Sequence, residues 1–204
     1  MKITWLGHSC FYIETAGGSV VFDPYADNYV PGYSIVRATA DGVFCSHDHR
    51  DHGCPEGVTL SGRPLAAKVD AVDTFHDDKE GSLRGLNKMH ILSAEGMRVA
   101  HLGDLGHMPE GAALEALQDV DALLVPVGGY YTIDAKTAKA LADTCGARVV
   151  IPMHYRLEDK GFDVIAELSE FTDLCDNTIY YPGNTLELTA DTPAQTAVLT
   201  YERA

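Results

Sequence analysis

Short apolar runs bounded by Gly, Pro and Asp dominate the first half of the chain, and such runs predict strands. Residues 2–6 and 10–15 give the first two, the second reading Cys10-Phe11-Tyr12-Ile13-Glu14-Thr15. Gly17-Gly18 turns the chain into Ser19-Val20-Val21-Phe22. Asp23-Pro24 ends that run, because proline cannot continue a ladder. Residues 25–40, with Tyr25, Tyr29 and Tyr33 around Pro31-Gly32, predict a loop or lid. A strand at 42–46 follows, then short β-like runs over 58–75 and a charged, exposed loop at 77–85. Strands at 87–93 and 97–103 flank Ala94-Glu95-Gly96.

Helical signals come later. Pro109 is tolerated in a first helical turn and opens a predicted helix over 109–118. Asp134 has the character of an N-cap for a helix through Cys145, closed by Gly146. A third helix is predicted at about 163–175. Strands at 123–125, 149–151, 178–181, 184–189 and 196–201 complete the reading. The pattern is mixed α and β in a chain of 204 residues, short enough to form a single domain over 1–204.

One polar stretch interrupts this pattern. His47-Asp48-His49-Arg50-Asp51-His52 follows the apolar Val43-Phe44-Cys45 and holds three of the nine histidines. Imidazole and carboxylate together suit zinc, and manganese or iron as well. On an extended segment, residues two apart share a side. An extended loop would put His47, His49 and Asp51 on one side and His52 on another. That suits two neighbouring metals, His47 and His49 on the first, Asp51 and His52 on the second.

Composition narrows the partners. The formal net charge is −15, which repels polyanions and offers no basic stripe for nucleic acid. Two divalent cations would bring about four positive charges to a pocket, so a small anionic substrate is compatible with the acidic exterior. No apolar run is long enough to cross a bilayer. The N-terminus enters a strand pattern without a secretory signal, and the five dispersed cysteines suit a reducing compartment. A cytoplasmic location is expected.

The six-residue cluster matches His-x-His-x-Asp-His and resembles the metallo-β-lactamase superfamily, the short branch similar to ascorbate-phosphate lactonases. Gly7-His8, Asp23-Pro24, Phe75-His76-Asp77, Gly103-Asp104, Pro126-Val127-Gly128-Gly129 and Pro152-Met153-His154-Tyr155 extend the resemblance over positions 7 to 155. It implies an α+β fold, an αββα four-layer sandwich with metals at one edge between two sheets. It implies that His76 completes the first metal's ligands, Asp104 bridges, and His154 completes the second. Asp23 is expected to buttress the ligand loop as a hydrogen-bond acceptor. His8 has two readings, a hairpin-turn residue or a neighbour of the metals. His101 should face away from Asp104, and His90 should be surface or packing.

The resemblance implies a metal-dependent hydrolase with a metal-bridged hydroxide, acting on a small ester, lactone or phosphoester. Asp51 could orient the water besides binding metal. By position, His107 or Tyr155 would stabilise the oxyanion or protonate the leaving group, and Tyr130 or Tyr131 would shape the pocket wall. The rival reading is a catalytically silent metal-binding or regulatory module of the same fold. A redox role is disfavoured, because the di-iron branch carries Glu where this chain has His49.

Overall fold

A computed structural model describes residues 1–202. In chain order the strands are β1 (Lys2–Gly7), β2 (Cys10–Thr15), β3 (Gly18–Phe22), β4 (Ala38–Ala40), β5 (Gly42–Phe44), β6 (Val58–Leu60) and β7 (Lys68–Phe75). They continue with β8 (Leu86–Ala94), β9 (Met97–His101), β10 (Ala122–Pro126), β11 (Val149–Met153), β12 (Thr178–Tyr180), β13 (Thr185–Glu187) and β14 (Gln195–Val198). The helices are α1 (Gly111–Glu115), α2 (Ala135–Cys145) and α3 (Ser169–Thr172).

Strands β13-β1-β2-β3-β5 form one sheet and β12-β14-β11-β10-β9-β8-β7 the other, with β4 and β6 paired beside them. Alternation sets the register. Trp5 pairs with Phe11 and Phe11 with Phe22, so the large rings of three strands share one face. That face meets the second sheet directly: the Phe22 ring stacks on His101 at 5.3 Å and lies 5.7 Å from His90. The apolar runs of β10 and β11 are buried throughout, as expected for central parallel strands. The outer helical layers are thin, with α2 packed on β10 and α1 on β7. Asp134 caps α2 by accepting the Thr137 N–H at 2.8 Å, and Gly146 closes it at φ 65°.

Several elements are shorter than their patterns predict, each for a local reason. The strand predicted at 42–46 ends at Phe44, because the Ser46 N–H is taken by the Asp23 carboxylate. The predicted helix 109–118 shrinks to Gly111–Glu115, since Glu110 is extended and supplies no side-chain cap. The predicted helix 163–175 is helical only at Ser169–Thr172. Upstream, the Ala166 N–H bonds Gly128 O and its carbonyl accepts Arg156 N–H, so that backbone is committed to tertiary pairing. The expected lid at 25–40 is anchored instead. Tyr25 and Tyr33 are buried, and Ala38–Ala40 pairs with β6.

The direction of the strands places the chemistry. Strand β1 runs parallel to β3 through their common antiparallel neighbour β2, and β3 is parallel to β5. In the second sheet β7 runs with β9 by the same logic through β8, and β9, β10 and β11 are parallel. The C-terminal ends of β1, β3 and β5 therefore face those of β7, β9 and β11 across one edge of the sandwich.

Candidate metal centre

Each of those ends delivers a polar side chain. His8 follows β1, Asp23 follows β3, the 47–52 cluster follows β5, His76 follows β7, Asp104 lies beyond β9 and His154 follows β11. The cluster loop is not extended. His52 N–H and Gly53 N–H both bond the carbonyl of His49, at 2.9 and 2.7 Å, and the loop coils. Coiling separates His47 and His49 from Asp51 and His52 by a turn, where the sequence reading invoked strand alternation.

Three overlapping donor groups result. His47, His49 and His76 form one, His8, Asp51, His52 and His154 a second, and His47, His52 and Asp104 a third that joins them, each with donor atoms within 4.8 Å of one another. Asp104 stands between the first two. One oxygen lies 3.3 Å from His76 Nε2, 3.4 Å from His154 Nε2 and 3.9 Å from His47 Nε2, and the other is 3.0 Å from His52 Nε2. Its backbone N–H is fixed by Asn87 Oδ1 at 2.9 Å, and Asn87 donates in turn to Thr74 Oγ1 and Leu102 O.

Hydrogen bonds behind the donors fix their tautomers. The His52 Nδ1–H donates to Asp23 Oδ2 at 2.7 Å, which turns Nε2 toward Asp104 and makes it the lone-pair nitrogen of the neutral ring. The Ser46 hydroxyl donates to Asp23 Oδ2 at 2.6 Å, so His47 Nδ1 must be the donor in its 2.9 Å contact with Ser46 Oγ. Asp23 thereby orients two imidazoles, one directly and one through Ser46. His101 donates its Nε2–H to Ser9 O and accepts Gly103 N–H at Nδ1, so both nitrogens stay in the core. His90 packs between Phe22 and Phe44.

The electrostatics favour a cation. Burial pushes the His47 imidazole down to about 3 and His8 to about 4, with His52 and His154 respectively as the next causes. Burial also lowers His76. Asp51 and Asp104 feel burial in the opposite sense. The neighbouring His8 and His52 for Asp51, and His154 and His52 for Asp104, nevertheless hold both carboxyls well below the ordinary range. Burial opposes a charge on His52, yet Asp104 and Asp23 together raise it well above the ordinary value. The site thus offers ionised carboxylates at Asp51 and Asp104 and neutral imidazoles at His8, His47 and His76, the protonation states of metal ligands.

The polar groups themselves fit a bound ion. His8 Nδ1 and Nε2, His47 Nε2, His52 Nε2, His154 Nδ1 and Nε2, and Asp104 Oδ1 are buried without a hydrogen-bond partner. Orphaned buried polar atoms are rare and costly, and here most of them sit around one carboxylate. The close His52–Asp104 approach lacks hydrogen-bond geometry, so the lone pairs face a common space. His8, Asp23 and His154 also adopt left-handed backbone, with φ 51°, 46° and 53°. Such conformations cost about 1–3 kcal/mol each and gather at functional sites.

The donors open into a cavity of about 480 Å³ lined by Tyr29, Asp48, Arg50, Arg84, Tyr131 and Phe162 besides His49, Asp51, His76 and Asp104. Two residues given chemical roles by sequence position are not brought to it. His107 Nδ1–H donates to Met108 O at 2.9 Å and Nε2 accepts the Phe75 N–H at 3.3 Å, so both nitrogens are spent on backbone. Tyr155 is buried against the Trp5 ring at 5.7 Å, within the core. Tyr131 lines the cavity. Tyr130 is exposed and braces Tyr131 edge-on at 4.8 Å. His8, left with two readings by the sequence, stands in the second donor group, its Nε2 3.6 Å from Asp51. The left-handed Gly7-His8 turn after a strand was the available signal. Sequence reasoning passed over Arg50, although it sits inside the cluster, and Arg84.

Comparison with known proteins gives the family. Residues 2–154 match the model of the β-lactamase superfamily domain. A UPF0173 metal-dependent hydrolase of Methanoregula boonei is 30% identical over 212 residues, covering 85% of this chain and 92% of that protein. A UPF0173 protein of Pyrococcus abyssi is 30% identical over 184 residues, covering 76% and 83%. A crystal structure from Thermotoga maritima, of a protein named as a candidate Zn-dependent hydrolase of the metallo-β-lactamase superfamily, superposes with a TM-score of 0.80. It shares 37% identity, with 98% of this chain and 99% of that one covered. The chain belongs to the metallo-β-lactamase superfamily and is a metal-dependent hydrolase of its UPF0173 family.

Proposed function

We propose that this hydrolase holds two divalent ions and cleaves a small ester, lactone or phosphoester. Zinc suits the donor set best, with manganese or iron as alternatives. The observation that carries the reading is Asp104, which touches donors of both groups: one oxygen lies 3.3 Å from His76 and 3.4 Å from His154, and the other 3.0 Å from His52. His47, His49 and His76 would hold one ion, and Asp51, His52, His154 and His8 the other, with Asp104 shared. Ions bound there supply Lewis acidity toward a substrate oxygen and lower the pKa of water.

The chain's own residues divide the remaining work. Asp51 stays ionised and half-buried at the cavity floor, where it can accept a proton-bearing water as a hydrogen-bond donor and orient it. Asp23 and Ser46 hold the imidazoles in one tautomer. Tyr29, Tyr131 and Phe162 exclude water from the substrate's flank. The volume suits a small molecule.

The test is metal analysis of purified protein together with a screen on chromogenic esters, lactones and phosphodiesters, with and without chelator. Turnover of one class, lost on chelation and restored by zinc, is expected. Full metal occupancy with no turnover of any class would instead establish a silent metal-binding module.

A further inference from the structure

Most basic side chains of this acidic protein are neutralised locally. Ten lysines and arginines lie within 4.0 Å of a carboxylate, among them Arg37 on Asp27, Arg63 on Asp41 and Arg148 on Asp121. Arg50 and Arg84 have no such partner among the described residues, and both line the cavity over the donor cluster. In a chain of formal net charge −15, two guanidinium groups free of ion pairs thus meet at one opening.

Each guanidinium is supported from one face. Arg50 lies over the Tyr29 ring at 4.9 Å and Arg84 over Tyr131 at 5.7 Å. A ring face engages the cation's charge without taking its N–H donors, which stay available to an oxyanion. Of the five donors of Arg84, the fold uses one, to Tyr130 O at 2.9 Å. Phe162 meets Tyr29 and Tyr131 edge-on, at 6.0 and 6.2 Å, so the rings join into one wall that carries both arginines.

The loop that carries Arg84 is built for position. Asp77 accepts four backbone N–H bonds, from Lys79 and Gly81 at one oxygen and from Leu83 and Arg84 at the other, all between 2.7 and 3.0 Å. Gly106 passes against the backbone of His76 and Asp77 so closely that a Cβ there has no room. The segment from His76 to Arg84 is thereby tied to the donor cluster.

Resting on the hydrolase reading above, we propose that the substrate carries an oxyanion away from its scissile bond, and that Arg84 and Arg50 bind that oxyanion across the aromatic wall from the donor cluster. Of the three carboxylates that line the cavity, Asp51 and Asp104 face the donor cluster, which leaves the exposed Asp48 to oppose the two cations. Asp77 is a positioning residue for Arg84. The substrate class is a small carboxylate- or phosphate-bearing ester or lactone.

Three activated esters of matched length test this on the zinc-loaded protein: 4-nitrophenyl butyrate, mono-4-nitrophenyl glutarate and 4-nitrophenyl 4-phosphonobutyrate. The anionic esters should exceed the neutral one in kcat/KM by tenfold or more, and the larger of the two names the oxyanion. Arg84→Gln and Arg50→Gln should each cut that ratio about tenfold, chiefly through KM, while Lys136→Gln, unpaired but remote on α2, leaves it unchanged. Calorimetric titration of glutarate provides a readout without turnover, and its affinity should fall in both variants. Equal rates on all three esters, or glutarate affinity unmoved in both variants, would overturn the proposal while leaving hydrolysis standing. If no ester is cleaved, the carboxylic-ester part of that reading fails, and the glutarate titration alone still decides the role of the two arginines.

Discussion

Asp23 accepts the Nδ1–H of His52 at 2.7 Å, and both side chains are fully enclosed. The bond joins a residue after β3 to one after β5, so the first sheet fixes one of the candidate donors directly. Burial would raise the Asp23 carboxyl, but His101 and His52 hold it down at about 2, so it stays ionised. Replacing Asp23 by Asn keeps a side chain that tolerates the left-handed backbone but removes the charge. We expect Asp23→Asn to weaken metal binding by about 10–100-fold without unfolding the protein. Chelator competition measures this, and unchanged affinity would refute the buttressing role.

Asp104→Ala should release both ions, since its oxygens face both donor groups. Metal content measured by mass spectrometry is expected to fall toward zero, and hydrolysis with it. Retention of one tightly held ion would mean that Asp104 serves a single position.

His8→Ala, by contrast, removes a donor from one group only. One ion should weaken while the other is held as before, giving a two-step metal titration in place of the wild-type curve. A titration identical to wild type would return His8 to the role of a turn residue.

Without an ion, the cluster leaves buried imidazoles and carboxylates unsatisfied. Metal should therefore stabilise the fold by mass action, about 4 kcal/mol at a thousandfold excess over Kd, or on the order of 10 °C in Tm for a chain of this size. Scanning calorimetry with and without chelator checks the shift. Identical melting curves, with the metal shown to leave, would contradict this account.

His90 gives a pH prediction independent of the metal. Burial between Phe22 and Phe44 lowers its pKa to about 4 from the ordinary 6.5. A histidine lowered on folding stabilises above its unfolded pKa, and that contribution is lost as pH falls from 6.5 through 4. The unfolded chain binds the proton first in that window. His90→Leu removes a penalty of up to about 3 kcal/mol at acid pH. Denaturant unfolding at pH 7.5 and 4.5 should show the variant gaining on wild type at the lower pH. A constant difference would mean the imidazole is not titrating as described.

The strands were legible where alternation and flanking turns coincide, as at Cys10–Thr15, and α2 was legible from Asp134 and Gly146. Segments whose backbone pairs with distant chain were not. Residues 163–168 read as helix, but Ala166 spends its N–H on Gly128. The same limit applies at the site. The 47–52 cluster is contiguous and announces itself, whereas the cavity wall is assembled from Tyr29, Arg84, Tyr131 and Phe162, which no local pattern links. His107 misled because three residues from Asp104 is near in sequence, yet its ring turns to the backbone of Phe75 and Met108.

Every donor hangs from the end of a strand, while Tyr29, Arg84 and Phe162 lie on stretches between strands and helices. Apart from Arg50, which shares the ligand loop, selectivity is thus written in portions of the polypeptide separable from anchorage. Exchange of the connecting stretches could retune what the molecule accepts while the parts that grip the ions stay as they are.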